Sequence, residues 1–181
     1  MPDTQSKISS WLARIPSLEN GRRFPGVPPD DAAKLFDEVL AGGKAGIVEL
    51  IDSLQDVNDG QDWKTRFLLH GMASHTGSAS RKADRAKLEA IYAGELVGDR
   101  SAPVKTFLVM QLQYFAGKDS AGPVAAQLTS DDPMLIAAAA ATLTAIGPSA
   151  SKTMKAMHGK VGERARGAID HALMQIARNL G

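Results

Sequence analysis

"DDPMLIAAAAATLTAIGPSASKTMKAM", residues 131–157, indicates the fold class most clearly, because its pattern predicts two helices and the turn between them. Asp132 stands where a helix N-cap is expected, and Pro133 follows in the first turn. Gly147 ends the pattern, as glycine commonly does at a helix C-terminus. The run of five alanines is typical of a helix that packs closely against its neighbours. We therefore predict one helix between Asp132 and Gly147 and a second in "SKTMKAMHG".

The same pattern recurs along the chain. Residues 63–77 overlay residues 103–117 at a shift of 40, and residues 103–117 overlay residues 133–147 at a shift of 30. Asp62 is the expected N-cap of the helix that begins at Trp63. No segment combines strand alternation with turn signals. The sequence therefore predicts an all-α fold built from helix pairs, and the pairs start near residues 30, 62, 101, 132 and 162.

A period of 30–40 residues, with two helices per unit and proline early in the first helix, resembles the HEAT-like repeat family of α-solenoids. The resemblance covers roughly residues 30–179. It implies a right-handed α-solenoid of about five antiparallel helix pairs, in which each pair buries its apolar face against its neighbours. The family's Asp and Arg ladder is poorly kept, with Lys105 and Arg164 as loose candidates. "LLHGMASHTG" and "FLVMQLQYFAG" also look like units of bacterial HEAT-type domains.

Two regions follow from this division. Residues 1–29 form a leader, in which a short helix and a Pro/Gly linker precede the repeat domain of residues 30–181. The leader helix has one apolar stripe with helical spacing, and we expect it to cap the first pair. The stripe consists of Ile8, Trp11, Leu12 and Ile15.

Composition excludes several classes of protein. The chain has 181 residues and a net charge of +1. It has no cysteine, so disulfide scaffolds and thiolate metal sites are excluded. No apolar stretch reaches the length of a membrane-spanning helix. The N-terminal "MPDTQSKISS" lacks the apolar region of a secretory signal. The default expectation is a soluble cytoplasmic protein, and a periplasmic or exported one if the chain is a trimmed fragment.

The small net charge hides a strong segregation. Residues 30–62 carry nine acidic residues and two lysines, a net of −7, whereas residues 149–181 have a net of +4. If the helix pairs stack in a line, the charge is distributed along the same line. This arrangement predicts self-association between the two ends, weakened by salt.

"FLLHGMASHTG", residues 67–77, contains two histidines and a serine beside glycines, as a metal or nucleophile site would. His70 and His75 are five residues apart, whereas two ligands on one helical face need a spacing of three or four. Adjacent residues of a helix diverge, so His75 is badly placed to deprotonate Ser74. We predict packing or rim positions for both histidines and a close helix contact at Gly71. No catalytic, cofactor-binding or metal-binding residue is predicted.

Six basic residues form a candidate partner-binding face: Arg81, Lys82, Arg85, Lys152, Lys155 and Arg164. The leading hypothesis is a non-catalytic protein–protein interaction or scaffold module. One alternative is a nucleic-acid-binding protein, similar to HEAT-like DNA glycosylases, that uses the basic face. The balanced charge and the scarcity of aromatic residues argue against it. Another is an accessory domain of a larger exported bacterial enzyme. A lyase or hydrolase on the same scaffold is a further hypothesis, but no cluster with catalytic spacing supports it.

Overall fold

Ten α-helices account for most of the chain in a computed structural model that describes residues 4–19, 24–56 and 60–179. The prediction of an all-α fold is confirmed, because these residues contain no β-strand. Short 3-10 turns precede α5 and flank α7. The helices are α1 (Thr4–Ala13), α2 (Pro29–Ala41), α3 (Gly43–Asp52), α4 (Trp63–Thr76), α5 (Lys82–Val97), α6 (Ala102–Leu112), α7 (Ala121–Ala126), α8 (Pro133–Ile146), α9 (Pro148–His158) and α10 (Glu163–Arg178).

The helices pack in two series. In the first, α2, α4, α6, α8 and α10 each contact the next member. In the second, α1, α3, α5, α7 and α9 do the same. Helices that follow each other along the chain also contact across the two series, as α2 with α3, α4 with α5 and α8 with α9 do. Each member of the first series begins within one residue of a unit start indicated by the sequence. No second helix follows α10 within the described residues.

The α8 segment behaves as its sequence indicates. The Asp132 side chain accepts hydrogen bonds from the backbone N–H groups of Met134 and Leu135, at 2.7 and 3.1 Å, so the predicted cap is confirmed. Gly147, just after the helix, has a φ of 79°, a value that favours glycine. Thr142 is buried in the interface and donates to the carbonyl of Val109 on α6 at 2.9 Å. Small side chains thus let α8 lie close to α6.

The predicted cap at Asp62 is wrong. Asp62 stands at the N-cap position of α4, but its carboxylate makes no capping hydrogen bond to that helix. It accepts instead from the Gln55 backbone N–H at 3.0 Å and from Arg66 Nε at 2.8 and 2.9 Å. A guanidinium one turn along the helix is a stronger donor for a carboxylate than a backbone amide. Asp62 therefore ties the loop after α3 to the start of α4.

The leader is joined to the following helices by Trp11. Its indole is buried against two glycines, and a Cβ at either Gly42 or Gly46 would lie 2.9 Å from the ring. The indole N–H donates to Glu38 Oε1 at 3.0 Å. Helix α1 accordingly packs against α3. Among the described helices, none is long and apolar enough to cross a membrane.

Candidate functional site

A groove of about 490 Å³ opens on the surface shared by α4, α6 and the start of α8. Helix α6 supplies four of its eight lining residues, and among them proline, phenylalanine and methionine recur at spacings of four and three residues. Such spacing places the side chains on one helical face. The residues that give the groove its chemistry are Asp56, Arg66, Phe107, Met110, Asp132 and Met134.

Large hydrophobic side chains are exposed around this groove. Met110 is 48% exposed and Met134 is 66% exposed. Tyr114, one turn beyond Met110, is 58% exposed. Only two other large hydrophobic side chains in the described part of the chain, Val97 and Met174, are comparably exposed. Single exposed hydrophobic residues are ordinary, whereas neighbouring ones mark a surface that excludes water when a partner binds.

Polar side chains of α4 position the aromatic rings of this surface. The Arg66 guanidinium lies over the Phe107 ring, 4.9 Å from its centroid. The ring of His70 meets Tyr114 edge-on, with centroids 5.2 Å apart. His70 Nδ1 also lies 2.8 Å from Gln111 Oε1. Two side chains one helical turn apart on α4 thus hold two rings in fixed orientations.

The rim of the groove is acidic. Asp56 accepts a hydrogen bond from the hydroxyl of Ser101, and Asp132 caps α8. Arg66 is neutralised by Asp62. Burial alone raises the pKa of Asp62, but hydrogen bonds from Arg66 and the Gln55 N–H, together with the charge of Arg66, outweigh burial and lower that pKa below its ordinary value. The Arg66–Asp62 pair is therefore ionised at neutral pH, and Asp56 and Asp132 leave a negative rim.

The thioethers and rings of the groove offer contact area for apolar groups, and its carboxylates offer pairing for a cation. Methionine is flexible and polarizable, so it adapts to irregular apolar surfaces. The arrangement suits binding of an apolar segment that carries a positive charge.

The six predicted basic residues occupy separate places. Arg81 is engaged by two carboxylates, because its guanidinium pairs with Asp37 and lies 3.2 Å from Asp84. Lys82 and Arg85 follow on α5. Lys152 and Lys155 lie on α9, and Arg164 lies in the first turn of α10. Helix α7 contacts both α5 and α9, so it lies between the basic residues of α5 and those of α9.

The histidine side chains also contact different helices. His70 faces α6, whereas His75 Nε2 lies 2.9 Å from Asp37 on α2. His158 pairs with Asp170 at 3.1 Å, and His171 lies 3.4 Å from Gln175. Over residues 4–19, 24–56 and 60–179, no three His, Asp or Glu side chains group as metal ligands would.

Sequence reasoning did not single out the groove. The available signal is that "PVKTFLVMQLQYF" is apolar on two helical faces at once. Val104, Leu108 and Leu112 form the buried face, whereas Phe107, which is partly buried, and Met110, which is exposed, form a second apolar face.

No family model, no curated protein and no solved structure matches this chain.

Proposed function

We propose that the chain is a short right-handed α-solenoid of HEAT-like helix pairs and that it works as a non-catalytic protein-binding module. The contacts within each helix series support the solenoid, since a repeat protein buries its apolar faces only against neighbouring units. Helix α10 supports it too. Its buried face carries Ile169 and Ile176 and packs against α8 and α9, as a helix of the last described unit does in a stack of helix pairs.

One observation carries the binding function: two exposed methionines, Met110 on α6 and Met134 on α8, line the groove, and exposed Tyr114 follows just after α6. Removing such side chains from water stabilises a complex by about 25 cal/mol per Å² of apolar surface. Methionine and aromatic residues are also enriched at the centres of protein interfaces. Met110 is the expected centre of the contact, because it lies in the sequence between Phe107 on α6 and Tyr114, which follows the end of that helix.

The partner segment that fits this surface is an amphipathic helix with a basic residue near one end. An amphipathic helix places apolar side chains at i, i+3, i+4 and i+7 into a groove. The apolar residues would contact Met110 and Met134. A lysine or arginine of the partner would then pair with the rim carboxylates of Asp56 and Asp132, whose positions are fixed by hydrogen bonds within the chain.

Site-specific photo-crosslinking in the native cells tests this proposal. A photoreactive phenylalanine analogue replaces Met110, Met134 or, as the control, Lys152, which is exposed on α9. The expected result is one protein adduct of the same mass at both methionine positions and none at Lys152. Adducts that are equally frequent at all three positions, or a nucleic-acid adduct, would contradict the proposal.

Affinity measurements with the purified partner then test whether the groove is the binding surface. Met110→Glu places a charge in the apolar contact, and we expect the partner's affinity to fall by at least tenfold, or about 1.4 kcal/mol. Met174→Glu is the matched control, because Met174 is 44% exposed on α10, away from the groove. Circular dichroism checks that both variants are folded. An unchanged affinity for Met110→Glu would exclude this surface.

A further inference from the structure

A second cavity lies between the α2–α3 turn and α5, and it shares no lining residue with the groove. Its volume is about 300 Å³. Ile47, Leu88 and Ile91 form a buried apolar floor, and Leu40 is partly buried beside them. This size lies at the lower end of the range for small-molecule pockets, which are mostly apolar with a few polar groups.

Two lysines stand at the opening of this cavity. Lys44, in the first turn of α3, and Lys87, on α5, are both exposed and both line it. In the part of the chain that the structure describes, neither ammonium group has a carboxylate oxygen within 4.0 Å. Among the described residues Lys44 forms no ion pair, even though it lies in the acidic segment of residues 30–62. The other lysine of that segment, Lys34, lies 3.8 Å from Asp31.

The remaining charged residue of the lining does not cancel these lysines. Asp84 Oδ2 lies 3.2 Å from the Arg81 guanidinium, which also pairs with Asp37, so the charge of Asp84 is only partly compensated, but it is one carboxylate against two ammonium groups. The opening therefore presents a net positive charge above an apolar floor, from two ammonium groups that form no ion pair among the described residues. A ligand that matches both features has one anionic end and one apolar end.

We propose that this cavity binds a small amphipathic carboxylate, with its apolar tail on the floor and its head group between Lys44 and Lys87. Transfer of the tail from water to the floor contributes favourable binding free energy in proportion to the apolar area that is buried. The carboxylate gains charge-assisted hydrogen bonds from the two ammonium groups. This ligand site is independent of the protein-binding groove, so each can fail without the other.

Three eight-carbon probes with the same tail separate the contributions of charge and tail. Isothermal titration calorimetry of the full chain is carried out at low ionic strength with octanoate, 1-octanol and octylammonium. We expect saturable binding of one octanoate per chain. We expect the affinity for 1-octanol and octylammonium to be lower by about tenfold or more, since neither can pair with an ammonium group. The proposal is overturned if octanoate shows no saturable binding or if octylammonium binds as tightly.

Variants then locate the bound octanoate. Lys44→Gln with Lys87→Gln removes both cations, and we expect about a tenfold loss of octanoate affinity. Lys34→Gln with Lys82→Gln, which removes the same charge from α2 and α5 outside the cavity, is the matched control.

Ala90→Trp tests the cavity itself, because Ala90 is an exposed lining residue and an indole there fills the space. We expect loss of octanoate binding with an unchanged thermal unfolding midpoint, which shows that the fold is kept. If octanoate binds equally well to this variant and to the lysine double variant, it binds elsewhere and the proposal is wrong.

Discussion

At the scale of single residues, Gly71 defines how closely α2 approaches α4. A Cβ at Gly71 would lie 2.1 Å from Cζ of Phe36, so no larger residue fits without movement of the ring. The predicted close helix contact at this glycine is therefore confirmed. The histidines of "FLLHGMASHTG" are close together in the sequence, as the residues of a reaction centre can be. In the structure, His70 and His75 contact different helices.

Gly71→Ala should lower the free energy of unfolding by about 1 to 3 kcal/mol, the usual cost of overpacking. The loss is informative because alanine is otherwise preferred over glycine inside a helix by about 0.5–1 kcal/mol. Gly94→Ala is the control, since a Cβ at Gly94 in α5 would have nothing within 4 Å, and we expect this substitution to stabilise the chain. Urea unfolding measures both. If Phe36→Leu does not relieve the effect of Gly71→Ala in a double-mutant cycle, the ring contact is not its cause.

At the scale of elements, the residues at which helices begin can be predicted from nearby sequence, whereas the contacts that a helix makes with the rest of the fold cannot. Caps, early prolines and terminal glycines act within a few residues, so the starts of α2 and α8 could be placed from the sequence. Asp62 shows the limit of this reasoning. A sequence shows that an aspartate precedes a helix, but whether it caps depends on donors that the fold supplies, here Arg66 and the Gln55 N–H. The groove depends on the same kind of information, since only packing decides which apolar face of α6 remains exposed.

The contact that Asp62 makes between the loop after α3 and the start of α4 should make the free energy of unfolding depend on pH. The folded-state pKa of Asp62 is lowered, so its contribution is present above the unfolded-state pKa of about 3.9 and is lost as the pH falls through the folded-state value. Asp62→Asn should cost about 2 kcal/mol at pH 7, as for a hydrogen bond to a charged group. The difference from the unaltered chain should shrink towards pH 3. Urea titrations of both chains at several pH values measure it, with Asp131→Asn as the control for removing a carboxylate. A difference that is constant with pH would contradict this account.

At the scale of the whole molecule, folding redistributes the charge that the sequence segregates. Four acidic residues of the segment 30–62 pair with arginines from outside it: Glu38 with Arg14, Asp37 with Arg81, Asp52 with Arg100 and Asp62 with Arg66. When these arginines are counted, the net charge of the acidic region changes from −7 to −3. The basic region of residues 149–181 keeps its +4, because none of its lysines or arginines forms an ion pair within the described residues.

Self-association between the two ends should therefore be weak and strongly salt-dependent. The Debye length is about 30 Å at 0.01 M salt and about 3 Å at 1 M, so attraction between exposed charges is lost over that range. Sedimentation equilibrium should show a mass that rises with protein concentration at about 0.01 M salt and a monomer at about 1 M. Arg164→Glu with Arg166→Glu reverses exposed charges on α10 and should give a monomer at both, whereas the equal reversal at Lys82 and Arg85 on α5 should not. A monomeric unaltered chain at both salt concentrations would mean that the internal arginine pairs leave too little charge at the acidic end to hold a second copy.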